Sequence, residues 1–213
     1  MNKNFELWLD ESGDFENQHE LEGTTRKPSL IGGFLVEEEV ANKIDFEGLI
    51  DSNRNHAMEL EEDDKKNYVL PVLQRMKSEY NAAQVFFENQ EYHDEATSRQ
   101  LYLSMMAEGI LQLLQRLNAR YESVGLRVTI AQRQDVTAEA GNQRIRENEY
   151  KKALEYCIKR KQRERRAMLH PDCEVSFEIC RASDSMRLQL ADFACNTRLT
   201  RDSHAFKDVR SEV

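Results

Sequence analysis

Residues Phe5 to Asp14 read F-E-L-W-L-D-E-S-G-D. Phe5, Leu7 and Leu9 alternate with Glu6, Trp8 and Asp10, the period-2 pattern of a strand in a sheet. The strand then runs into three carboxylates, Asp10, Glu11 and Asp14, beside Ser12 and Gly13. Asp10 is expected where the packed strand ends, on a rigid element, facing out of the sheet end. Two readings are open. Ser-Gly-Asp after a strand is ordinary turn chemistry. Carboxylates at a strand end also suit a divalent cation, because hard cations prefer oxygen ligands. A calcium loop of the EF-hand type fits poorly, since Phe15 stands where glycine belongs and Leu21 where the bidentate Glu belongs. No G-x-x-x-x-G-K-[ST] or G-x-G-x-x-G phosphate loop occurs.

Outward from this strand, the 213 residues suffice for one large domain or a core with an insertion. A chain 39% hydrophobic and 32% charged reads as a soluble, strongly amphipathic globule. No stretch approaches the ~18 to 20 apolar residues that cross a bilayer, and the N-terminus lacks a secretory apolar region, so the expectation is no membrane and a cytoplasmic location. Cys157, Cys173, Cys180 and Cys195 follow no C-x-x-C pattern and read as buried thiols of a reducing compartment. A zinc site from His170, Cys173 and Cys180 lacks paired ligand spacing.

The net charge of −9 is unevenly spread. Residues 1–100 hold 10 Lys/Arg against 23 Asp/Glu; residues 101–213 hold 20 against 16. The basic excess gathers in residues 141–170, with the run K-R-K-Q-R-E-R-R from Lys159 to Arg166. On a helix such a run is a solvated face, or a stripe that holds a polyanion.

Further strands are expected at Ser29–Val36, where a glycine pair thins the sheet surface, and at Ala83–Glu88, Leu126–Ala131 and Glu174–Cys180. Helices are expected over Glu37–Ile50, Tyr68–Tyr80, His93–Tyr121, Asn142–Leu169 and Asp184–Leu199. Early strands without crossovers, followed by β-α-β units, indicate an α/β fold. The expected architecture is a mixed five-stranded sheet flanked by helices, one domain over 1–213, with a helical insertion after strand 2 at about 37–80.

The last helix carries a second acidic element. In D-S-M-R-L-Q-L-A-D-F-A-C-N, Ser185, Gln189, Asp192 and Asn196 form one polar stripe on a helix face. Asp192 lies within an apolar run, where a carboxylate is costly unless paired or metal-bound. Pairing with Arg187, Arg198 or a backbone group is the plain alternative to a cation shared with Asp10. Between the two elements, N-H-A-M-E-L-E-E places His56 and Glu59 three apart. On a helix they share a face and could add a ligand or a proton relay; the alternative is a solvated acidic segment.

D-E-S-G-D-F after strand 1, H-A-x-E-L in the middle and L-Q-L-A-D-F near the end occur in that order. Together they resemble domain-of-unknown-function family 3800, over essentially the whole chain. The resemblance implies an RNase H-like fold and a hydrolase, a metal-dependent nuclease using Mg²⁺ or Mn²⁺. It implies Asp10 and Asp192 as acidic ligands, with Glu11, Asp14, His56, Glu59 and Gln189 in or near the site. Asp10 would bridge two ions about 4 Å apart, with Asp192 and Glu59 completing their shells and His56 relaying a proton. Arg144, Arg160, Arg163 and Arg165 are the expected nucleic-acid-binding residues, for DNA or RNA. The resemblance also implies a place in phage defence or a mobile element, with a protein partner or a second copy of the chain as expected company.

One departure stands out. The family pattern has an Asp at the end of strand 4, where this chain reads I-A-Q-R-Q-D, with Gln132 at that place and Asp135 three residues on. A neutral carbonyl would bind a second ion weakly. Gln132 therefore favours an alternative: a catalytically weak or inactive binding or scaffold protein of the same fold. An actin/hexokinase-type phosphotransferase is a further rival, opposed by the lack of a second glycine-rich loop.

Overall fold

A computed structural model describes residues 2–12, 30–51, 60–88, 98–132, 143–164 and 173–199. In it the opening alternation becomes β1 (Asn2–Ser12), the central strand of a five-stranded sheet. β2 (Leu30–Glu37) pairs antiparallel with β1, and β3 (Ala83–Glu88) antiparallel with β2. β4 (Ser123–Ala131) runs parallel to β1, and β5 (Glu174–Cys180) parallel to β4, giving the order β3-β2-β1-β4-β5. The fold is thus α/β with a mixed sheet. A central strand is covered on both faces, so the face bearing Glu6 and Trp8 is as buried as the face bearing Leu7 and Leu9.

β2, β3 and β5 lie within a residue of their expected bounds, while β1 and β4 each start three residues before their expected starts. β1 differs at its end. It continues two residues past Asp10, which pairs with Gly32, while Ser12 pairs with Leu30. Asp10 is held inside the ladder, not beyond it.

The helices between β2 and β3 are more broken than expected. α1 (Glu38–Ala41) stops at Asn42, and α2 (Phe46–Leu49) starts anew because the Asp45 carboxylate accepts from the Gly48 N–H at 3.1 Å. α3 (Glu62–Asp64) leads through a π-helical turn, Lys65–Val69, into α4 (Leu70–Tyr80). Pro71 lacks an N–H for the carbonyl one turn back, and it sits two residues past that wider turn. Asn81, left-handed at φ 49°, ends α4.

α5 (Ser98–Asn118) and α6 (Gln143–Glu164) cover one face of the sheet, packing Ile110, Leu114 and Leu154 on Leu7, Leu9 and Val128. α7 (Met186–Leu199), after a 3₁₀ turn at Ala182–Asp184, covers the other face with α4, around Trp8, Phe34 and Phe193. Among the described residues no helix is long and apolar enough to cross a membrane.

Candidate functional site

The sheet's α7 face is thinned where Asp10 lies. A Cβ at Gly32 would stand 3.1 Å from the Cys195 sulfur, and one at Gly33 3.1 Å from the Ala191 Cβ and 1.7 Å from the Trp8 carbonyl oxygen. Without those two side chains α7 settles directly onto β1 and β2. The Cys195 thiol then donates to the Asp10 main-chain carbonyl at 3.2 Å. Asp192, one turn earlier on α7, is brought near enough for its charge to act on the Asp10 carboxyl.

Asp192 is 8% exposed. Asn196, the next residue of the stripe, donates its Nδ2 to Asp192 Oδ1 at 2.5 Å and to the Asp192 carbonyl at 3.1 Å. This bond orients the carboxylate along its own helix. Arg187 is engaged elsewhere, against Glu6 on β1. Gln189 is buried one turn before Asp192.

Burial, and then the charge of Asp192, push the Asp10 carboxyl up to about 7; the Glu11 N–H, donating to Asp10 Oδ1 at 2.8 Å, works the other way. Two neighbouring carboxylates in poorly solvated surroundings resist both being anions. They can hold a proton or a cation between them. Burial pushes the Cys195 thiol well up, and the charges of Asp10 and Asp192 add to this, so it stays a protonated donor.

The structure brings Asp10 and Asp192 together, with Glu11 next in β1 and Gln189 on the same helix. Asp14, His56, Glu59, Asp135 and Arg165 lie outside the described residues, and of Arg144 only the backbone is described. Among the described residues no group of three or more His, Cys, Asp or Glu is arranged to hold a metal. Gln132, expected at the end of strand 4 where the family pattern has an Asp, directly follows β4. Leu9 pairs with Ile130, so one step further Ala131 is level with Asp10, while Gln132 is past the strand with its N–H on the Cys180 carbonyl at 2.9 Å.

Arg160 and Arg163 are not brought to the carboxylates. β4 ends at Asp10's end of the sheet and β5 begins level with Gly125, which is level with Asn4. α6 must therefore run back along the opposite face. Arg160, 17 residues after Gln143, is about 26 Å along it. Its Nε is paired with Glu164 at 2.8 Å.

Two features of this neighbourhood had no reading in the sequence: the Cys195 contact with Asp10, and the Glu6–Arg187 pair behind it. Their only local signal was a charge beside the single Trp on the second face of β1. No protein-family model matches the chain, and no curated protein shows significant similarity to it.

Proposed function

We propose that the chain is a divalent-cation-dependent nuclease with an RNase H-like core, hydrolysing phosphodiester bonds of nucleic acid. The observation that carries this is the meeting of two carboxylates, Asp10 from the central strand and Asp192 from the last helix, in a buried setting that penalises both being charged. Three antiparallel strands followed by two parallel strands, with helices on both faces, are compatible with that core.

The donor chemistry fits Mg²⁺ or Mn²⁺: hard carboxylate oxygens, mutually repelling until a cation lies between them. Asp10 and Asp192 would hold it. The bound cation supplies charge neutralisation at phosphoryl oxygens and lowers the pKa of a coordinated water. The chain's own residues do the rest. Asn196 fixes the Asp192 carboxylate, the Cys195 contact ties the helix to Asp10's backbone, and the apolar packing of α7 limits water behind the pair. A setting in phage defence or a mobile element, and a cytoplasmic location, belong to this reading through the family resemblance alone.

One observation favours the second reading, a binding or scaffold protein with little turnover. Gln132, a neutral side chain, directly follows β4 at the end of the sheet where Asp10 lies. Cleavage of labelled single- and double-stranded DNA and RNA in Mg²⁺ or Mn²⁺ separates the two. The nuclease reading expects cleavage that Asp10→Ala and Asp192→Ala each abolish. Cleavage surviving both substitutions removes the site, and no cleavage of any substrate leaves the scaffold.

A further inference from the structure

We propose that the Glu6–Arg187 ion pair is a positioning device that sets how far α7 lies along β1, and thereby the separation of Asp10 and Asp192. The register claim stands on packing alone; its consequence for a bound cation rests on the reading above.

Glu6 is 2% exposed in the middle of β1. Its Oε2 accepts from Trp8 Nε1 at 2.8 Å and lies 3.0 Å from Arg187 Nε; its Oε1 is 3.7 Å from Arg127 Nη1. The Arg187 guanidinium carbon stands 5.7 Å from the ring centroids of both Trp8 and Phe46. Each partner is in an unfavourable place by itself. A carboxylate inside a covered strand loses its solvation. An arginine in the first turn of a helix opposes the helix dipole. Arg187 is half-buried while Glu6 is covered; an ion pair that takes a charge out of water seldom outperforms apolar side chains in stability, and its best-attested use is to specify one arrangement over others.

The lengths match that use. From Glu6 to Asp10 the strand advances about 13 Å. From Arg187 to Cys195 the helix advances about 12 Å. α7 is therefore tied to β1 at two points of equal spacing: Arg187 to Glu6, and the Cys195 thiol to the Asp10 carbonyl. Asp192 lies between the ties. Apolar packing of Leu188, Ala191 and Phe193 tolerates sliding better than a charge pair does. A slip of one turn would carry Asp192 about 5.4 Å along the strand and break both ties.

The test compares wild type with the apolar double variant Glu6→Leu/Arg187→Met. Three quantities are read: the urea midpoint, the rate of iodoacetamide labelling at Cys195 resolved by peptide mass, and Mn²⁺ binding by EPR. The expected result is a folded variant of near wild-type midpoint, with Cys195 labelled at least about tenfold faster and Mn²⁺ bound about tenfold more weakly. A folded variant whose Cys195 stays as protected as wild type overturns the proposal. Should wild type bind no Mn²⁺, the cation reading fails and the labelling alone still decides the register. Should the double variant not fold, Glu6→Gln, which keeps the shape and the acceptor for Trp8, is judged by the same labelling.

Discussion

The Cys195 thiol lies 3.2 Å from the main-chain carbonyl of Asp10, joining the last helix of the fold to its first strand across 185 residues of chain. The contact is possible only because Gly32, Asp10's partner in the ladder, has no side chain beneath the sulfur. Packing at this point and placement of the carboxylates are therefore one problem.

Gly33→Ala is expected to be far more damaging than Gly32→Ala. At Gly33 the new Cβ would overlap the Trp8 carbonyl, a backbone atom of the central strand that cannot yield without moving β1. At Gly32 it would meet the edge of the Phe86 ring at 2.6 Å, and a ring can turn. Urea titrations should give a loss of about 1–3 kcal/mol for Gly32→Ala, and little soluble protein for Gly33→Ala.

In EDTA, stability should fall as pH rises from about 4 to about 7. Asp10 moves from its ordinary 3.8 up to about 7 on folding, so between those values the folded chain keeps a proton that the unfolded chain has released. A native state that binds more protons loses stability with rising pH, here by up to about 4 kcal/mol. Unfolding midpoints measured across that range check this. Asp10→Asn should flatten the slope and be the more stable protein above pH 7.

Asn196→Ala removes the donor that orients Asp192 Oδ1. Loss of this part-buried, charge-assisted hydrogen bond should cost about 1–3 kcal/mol. Under the nuclease reading, Mn²⁺ affinity should also drop about 10- to 100-fold, the usual effect of losing a residue that holds a ligand in place. Calorimetric titration of a folded variant measures it. Unchanged affinity would remove Asn196 from the site.

Trp8→Phe keeps a ring beneath Arg187 but deletes the Nε1–H that Glu6 accepts at 2.8 Å. The buried carboxylate then relies on its arginines alone. A loss of about 1–3 kcal/mol is expected, and adding Glu6→Gln should recover part of it, since an uncharged side chain needs that donor less. Circular dichroism is the readout, because the variant has lost the chain's single Trp.

Much of the scaffold was legible because strand alternation and helical spacing are local. Glu174–Cys180 matches its strand to the residue, and Asp192 stood out as a carboxylate in an apolar helix run. Local pattern failed where a side chain restarted the backbone: Asp45, capping α2, divides what reads as one helix from 37 to 50. It was silent on register: that Leu9 is level with Ile130, which leaves Gln132 just past the end of β4, is a property of two strands and not of one.

The sequence by itself determined which segments alternate, which helices carry a polar stripe, and that Asp10 and Asp192 are acidic residues in costly places. Only the tertiary structure decided that they meet. It also decided that Glu6 is buried against Arg187, and that α6, with Arg160 and Arg163, lies on the face opposite α7. The reason is geometric. Periodicity follows from the backbone of each element, whereas the partner, face and direction of an element depend on parallel crossovers and on two glycines that let one helix lie close to the sheet.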